Sequence, residues 1–360
     1  MSPGCAHCYA DTLSKRNPLT LGVWGPNGTR VVASESAWRE PLKWDRAAKA
    51  AGERHRVFCA SLADVYEDWQ GGKDYPGEMV NAKGGRLSIN ASGQVWSYDT
   101  DGPPEDDWGV RAYTMGDARR RLFRLIERTP NLDWLLLTKR PENVLRMWNE
   151  GHSEALDRPW PSNVWLGTSV ESQATADARI PHLLRAPAAV RFLSCEPLLG
   201  PVDLTNVSGA RDESPDHLNA LTGVMTTSHP PQAGPRVDWV IVGGESGPGA
   251  RPMHPDWARS LRDQCRAADV AFHFKQWGEW VPVDEAVGTA VVTGDGSRVR
   301  AMFPDGSHAP DLTGSDGDEA IVIGRVGKAA AGRVLDGRTW DEFPSPAPVP
   351  SPAGIDDADD

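Results

Sequence analysis

Apolar residues along the chain gather in six short runs, each closed by polar residues or glycine. They span residues 56–64, 133–140, 163–169, 190–196, 238–245 and 271–276. Runs this short, apolar at successive positions and rich in β-branched or aromatic residues, predict strands buried on both faces. Apolar spacing of helical period falls between them, at 117–128, 141–150, 175–185 and 255–268. Alternation of this kind predicts parallel βαβ units and an α/β fold. In such folds the polar residues at the carboxyl ends of the strands converge on one mouth. The candidates are Asp64, Lys139, Arg140, Ser169, Glu171, Glu196, Glu245 and Lys275. The usual fate of any single such residue is that of a helix cap or loop polar; the repetition at six strand ends carries the expectation.

Two stretches break the alternation and predict insertions, surface loops or lids. Residues 70–112 are rich in Gly, Asp, Pro and Trp, and residues 206–236 are polar with Pro230-Pro231. The barrel-like body thus runs over 1–282. A C-terminal extension over 283–344 reads as hairpins with Asp-Gly turns at 293–307, then a short basic helix at about 326–335. The Pro-, Ala- and Asp-rich end, 345–360, predicts an acidic disordered tail.

With 360 residues the chain suffices for one large α/β barrel or two ordinary domains. Its net charge of −12 argues against broad electrostatic attraction to nucleic acid and leaves room for a local basic groove. Five scattered cysteines are too few for a disulfide framework, which points to a reducing cytoplasm. No apolar stretch is long enough to span a membrane, and no signal peptide is recognisable.

The sharpest chemical signal is Cys5-Ala-His-Cys8 beside Pro3-Gly4. Two thiolates at that spacing can share one metal centre, but they complete neither a closed zinc site nor the three anchors of an open cubane cluster. Four readings fit: a surface pair with no role, a redox pair, half a zinc site completed by His7, His55 or Cys59, and part of an iron–sulfur cluster with one open iron. The glycine-rich stretch from Gly243 and Gly244 through Glu245 to Met253 follows a buried strand. It reads either as a ligand-binding loop or as a tight βα turn. It lacks the P-loop ending and the dinucleotide spacing, so ATP and NAD are not indicated. Lys139-Arg140 together can hold a carboxylate or phosphate, or form an exposed basic turn. Buried Cys195, Cys59 and Cys265 read as small core residues, and Glu196 as a carboxylate in need of a partner. Among 15 tryptophans, Trp134, Trp165 and Trp239 read as core. Trp277 and Trp280 read as packing residues first, and as a stacking surface second.

Several motifs, in order, resemble the phage Gp37/Gp68 family of uncharacterised proteins. They are Ser2-Pro3-Gly4-Cys5-x-x-Cys8-Tyr9-Ala10, Leu137 to Pro141, Trp165 to Glu171, Phe192 to Leu198, Gly243 to Gly247, Phe274 to Gly278, and Arg325 to Lys328 through Leu335 to Arg338. The resemblance covers residue 2 to about 344, outside the two insertions. That family is similar to radical S-adenosylmethionine enzymes in its three-cysteine cluster motif and partial (β/α) barrel. The resemblance therefore implies a partial barrel of parallel strands, a [4Fe-4S] cluster and S-adenosylmethionine. It also implies an adenosyl radical that abstracts hydrogen from an unknown substrate, with a nucleobase or nucleic acid suggested by the phage association.

Cys5 and Cys8 match the second and third cluster cysteines. The first has no counterpart, which reads as a start assigned too far downstream or a non-cluster homologue. By barrel order, Ser61 or Asp64 would approach the methionine amino group, and Ser169, Glu171 and Glu196 the ribose and carboxylate. Lys139, Arg140, Glu196, Glu245 and Lys275 would position cofactor and substrate. The alternative is a zinc-stabilised or metal-free barrel that binds a ligand or partner protein without redox chemistry.

Overall fold

The computed structural model describes residues 2–60, 62–71, 77–83, 85–90, 92, 94–98, 111–151, 160–208, 217–225, 233–283, 299–308 and 320–344. All six apolar runs form strands of one parallel sheet. These are β1 (His55–Cys59), β5 (Leu132–Thr138), β6 (Val164–Ser169), β7 (Val190–Cys195), β10 (Trp239–Gly243) and β11 (Ala271–Gln276), paired in that order. Helices α3 (Glu35–Ala51), α4 (Met115–Glu127), α5 (Val144–Gly151), α6 (Gln173–Arg185) and α7 (Pro255–Ala267) occur between or before them. The four sequence-based helices thus fall at α4, α5, α6 and α7. Pro141 opens a 3-10 turn, Pro141–Asn143, so α5 itself starts three residues later than the sequence pattern.

Side chains alternate across the sheet, as strand geometry requires. One set, including Trp134, Leu136, Leu166, Leu193, Val240, Phe272 and Phe274, belongs to the large helix-covered core. The other set, Leu135, Trp165, Val190, Phe192 and Trp239, fills the concave side. The sheet curls into a half-barrel. The Arg56 guanidinium on β1, at one edge, lies 3.9 Å from the ring centroid of Phe343, which packs on His273 of β11 at the other. A run of backbone around Trp340 to Glu342 pairs along β11 and covers that edge.

Three sequence expectations need correction. First, β1 is not buried on both faces: it is an edge strand with alternate residues exposed, Phe58 by 49%. Second, the 70–112 segment is not only loop. It carries a small antiparallel sheet of β2 (Arg86–Ile89), β3 (Val95–Tyr98) and β4 (Arg111–Ala112), with its own core of Trp69, Met79, Leu87 and Tyr113. The 206–236 segment likewise holds a two-strand pair, β8 (Leu218–Asn219) and β9 (Val224–Met225). Third, the basic helix shrinks to one turn, α8 (Lys328–Ala331), bounded by Gly327 and Gly332 with positive φ.

In the C-terminal extension, β12 (Trp280–Pro282), β13 (Val299–Met302) and β14 (Ile321–Arg325) form an antiparallel sheet. The expected Asp305-Gly306 turn follows β13, with Gly306 at φ +90°. The rest of the expected hairpin region, and the acidic tail, lie outside the described residues.

Gly167 in the middle of β6 is a packing requirement. An added Cβ would stand 2.3 Å from the Phe192 ring, which is fully buried. Gly167→Ala is therefore expected to lower unfolding stability by about 1–3 kcal/mol, the usual penalty of overpacking. Urea titration of Gly167→Ala, Phe192→Leu and the pair checks this. The double variant should lose less than the sum of the singles, and strict additivity would show that the two sites are not in steric conflict.

Candidate active site

The sequence begins its work at the mouth. Pro3, with its fixed φ, starts a 3-10 turn, Pro3–Cys5. Cys8 then stands at the N-cap of α1 (Tyr9–Arg16), which leads into the short α2 (Pro18–Leu21). Both thiols therefore sit on one compact turn, half-buried and free of disulfide bonds. This turn is docked on the strand ends. The Ser2 hydroxyl donates to the Glu171 carboxylate, and Arg251 Nη2 donates to the Pro3 carbonyl at 3.0 Å. Two glycines allow the approach. A Cβ on Gly4 would lie 2.7 Å from Glu171 Oε1, and one on Gly249 would lie 2.9 Å from His7 Nδ1.

Glu171 follows β6 and is fully buried. It accepts from Lys139 Nζ at 2.6 Å, at the end of β5, and from Arg179 Nη1 at 2.7 Å, on α6. Burial raises the carboxyl pKa, but Lys139, Ser2 and Arg179 outweigh it and hold it below the ordinary value. Glu245, after β10, takes the Arg251 backbone N–H and two guanidinium donors at 2.6–2.8 Å. Burial again opposes ionisation, and Arg251 again overrides it. Glu196, after β7, accepts from Lys275 Nζ and Gln276 Nε2, both at 2.7 Å. Asp64 accepts from Thr138 Oγ1, the Lys139 and Tyr66 backbone N–H groups, and Arg140 Nη1.

Glu171, Glu245, Lys139 and the cysteine turn are thus linked at one end of the half-barrel, and Glu196 and Lys275 form a pair at the ends of β7 and β11. Lys139 and Arg140 diverge: the first turns to Glu171, the second to Asp64 and Glu67, so they do not form one anion clamp. Ser169 is 2% exposed, and its carbonyl accepts from Arg179. Gly243 and Gly244 serve close packing: a Cβ on Gly244 would meet the Trp277 carbonyl at 1.9 Å, and one on Gly243 the Glu196 carboxylate at 3.2 Å. Trp277 and Trp280 are buried, with indole N–H groups bonded to the Val334 and Ala250 carbonyls, so the stacking reading gives way to packing. Ser61 lies outside the described residues.

Sequence reasoning did not single out Ser2, Arg179 or Gln276. Arg179 carried a readable signal: it lies two helical turns after Glu171, on the helix that follows the same strand.

The cysteines divide in two. Burial pushes the Cys59 and Cys265 thiols up to about 12, and that of Cys195 higher still. They do not resemble metal ligands. His55 stands 4.0 Å from Glu53. Among the described residues no three His, Cys, Asp or Glu side chains gather as a metal-holding group. No helix among them is long and apolar enough to cross a membrane.

A family model described as "Protein of unknown function (DUF5131)" matches residues 1–71 and 113–344, and the chain belongs to that family. The match passes over the segment that carries β2 to β4. Neither a curated protein nor a solved structure matches the chain.

Removing the Glu171 charge leaves Lys139 and Arg179 without their shared partner. Glu171→Gln is expected to cost about 3 kcal/mol at pH 7, the low end for breaking a buried pair, because Lys139 keeps some solvent. The depressed pKa sets the sign. The stabilisation is complete above the unfolded carboxyl pKa of about 4.3 and fades as pH falls through the folded value. Urea unfolding of both proteins at pH 7 and in acid should show the gap narrowing in acid; a pH-independent gap would assign the loss to packing.

Proposed function

We propose that this member of the DUF5131 family is a radical S-adenosylmethionine-type enzyme, related to the phage Gp37/Gp68 proteins, with its chemistry at the half-barrel mouth. The observation that carries this is the docking of the Cys5–Cys8 turn onto Glu171 and Arg251. It brings two accessible thiols to the strand ends where cofactor and substrate meet in parallel α/β folds.

In this reading Cys5 and Cys8 are two of the ligands of a [4Fe-4S] cluster. Their half-exposed thiols suit that role, whereas the buried Cys195 and Cys265 thiols do not. The donor set of this chain falls one thiolate short, so the reading requires a third from outside these 360 residues. When bound, such a cluster supplies an electron to S-adenosylmethionine and so starts hydrogen abstraction.

The chain's own residues bind and orient. Lys275 Nζ is half-exposed beside Glu196 and is the mouth cation that a ligand carboxylate reaches most directly. Gln276 Nε2 adds a neutral donor to the same carboxylate. The Arg251–Glu245 pair and the Lys139–Glu171–Arg179 cluster hold the cysteine turn in place. Arg140 and Asp64 fix the β5 end. A nucleobase or nucleic acid remains the substrate class suggested by the phage association.

A second reading is a non-redox half-barrel that binds a ligand or partner protein, for which the half-exposed Lys275 beside Glu196 would serve equally well. One experiment separates the two. The protein is reconstituted anaerobically with iron and sulfide, with a small exogenous thiol present to fill the third position. About four irons and four sulfides per chain, lost in Cys5→Ser/Cys8→Ser, are expected for the cluster. Zinc alone, or iron uptake indifferent to both substitutions, would overturn the radical reading in favour of the second.

A further inference from the structure

A groove of about 1310 Å³ lies between α3, α4 and the insertion sheet, and the mouth chemistry does not use it. Among the described residues, Arg39, Arg111, Arg120, Arg121, Arg124 and Arg128 line it, with two carboxylates, Glu35 and Asp117. Asp117 is shared by Arg111 and Arg120, and Glu35 is taken by Arg121. Among the described residues, six arginines thus stand against two carboxylates here, in a protein whose net charge is −12. The Arg124 and Arg128 side chains are exposed and have no ion-pair partner among the described residues.

The arginines are arranged rather than scattered. Arg120, Arg121, Arg124 and Arg128 recur at helical spacing along α4 and its cap, so they form one stripe. The opposite face of α4 is buried through Leu122, Phe123 and Ile126, which fixes the stripe toward the groove. Both carboxylates are held ionised by their partners. For Glu35 the main cause is the Arg121 hydrogen bond; for Asp117, burial is overcome by Arg111, Thr114 and Arg120.

Aromatic surface accompanies the charge. Trp96 of β3 is 37% exposed on the insertion side, near Asn90 and Gln94. Trp38 of α3 lies beneath Arg121, whose guanidinium carbon is 4.5 Å from its ring centroid. A row of cations facing a solvent-accessible indole and amide side chains is the pairing that single-stranded nucleic acid uses, phosphates on the cations and bases on the ring. An acidic peptide would satisfy the cations and leave the indole without a stacking partner.

We propose that this groove binds single-stranded nucleic acid, with α4 holding the phosphates and Trp96 stacking a base. Its insertion wall falls in the segment that the family model passes over, whereas α4 lies within the match. It stands on the groove alone and does not depend on the cysteine chemistry.

Fluorescence anisotropy of the 360-residue protein with a labelled oligothymidylate of about 15 nucleotides tests it, the length being within the usual site size. Binding should weaken steeply with salt. Arg124→Glu/Arg128→Glu should weaken it at least about tenfold and reduce the slope of log K against log salt by roughly 1–2. Trp96→Ala should cost about tenfold with the slope unchanged. Cys5→Ser/Cys8→Ser should bind like the parent, which separates this site from the mouth. No binding at low salt, or binding indifferent to the arginine substitutions, would overturn the proposal. Equal affinity for polyglutamate, with no effect of Trp96→Ala, would overturn it in favour of an acidic protein partner.

Discussion

A carboxylate with no access to water organises one end of this molecule. Glu171 cannot stay ionised in the interior without compensation, because burial of an unpaired charge is far costlier than any single contact can offset. Compensation comes from three separate pieces of chain: Lys139 closing β5, Arg179 on α6, and Ser2 before the cysteine turn. The charge therefore fixes the relative position of two adjacent strand ends, the helix between β6 and β7, and the N-terminal segment. Beside it, the Arg251 contact to the Pro3 carbonyl and the close approach of His7 to Gly249 also hold the Cys5–Cys8 turn.

The same rule explains the rest of the mouth. Each carboxylate at a strand end has been given its own donors, Arg251 for Glu245, Lys275 and Gln276 for Glu196, Arg140 and Thr138 for Asp64. Pre-paired groups of this kind are rigid and correctly oriented before any ligand arrives, which is what a binding or catalytic site requires. They also restrict what can enter. Lys275, half in solvent, can exchange its partner for a ligand carboxylate. Lys139 and Arg179 cannot do so without exposing Glu171 as an uncompensated charge.

Charge is distributed unevenly over the protein. The overall balance is acidic, yet α4 and the adjoining insertion concentrate arginine around one groove. Net charge governs long-range encounter, whereas binding is decided within roughly a Debye length of about 8–10 Å, so the two need not agree in sign. Among the described residues, the half-barrel and the groove thus present two different chemistries, one of matched pairs and one of excess cations.

The order of the sheet elements was legible because buried parallel strands announce themselves as short unbroken apolar runs. All six runs became strands of one sheet, and the four helical patterns became helices within a few residues. The role of Trp165 and Trp239 as core followed from the same signal. The insertion at 70–112 was also visible as a change in composition, but its three strands were not, because their pairing depends on partners distant in sequence. The Lys139-Arg140 pair was legible as two adjacent cations. Their divergence to Glu171 and Asp64 was not, since successive residues leaving a strand point in opposite directions and meet whatever the fold places there. Gly244 looked like an opening for a ligand until the Trp277 carbonyl was found against it. Residue types, spacing and the six strands of the main sheet were determined by the sequence alone; the pairing of Glu171 with Lys139, of Glu196 with Lys275 and of Gly244 with the Trp277 carbonyl was decided only by tertiary structure, because those contacts join strand ends distant in the chain.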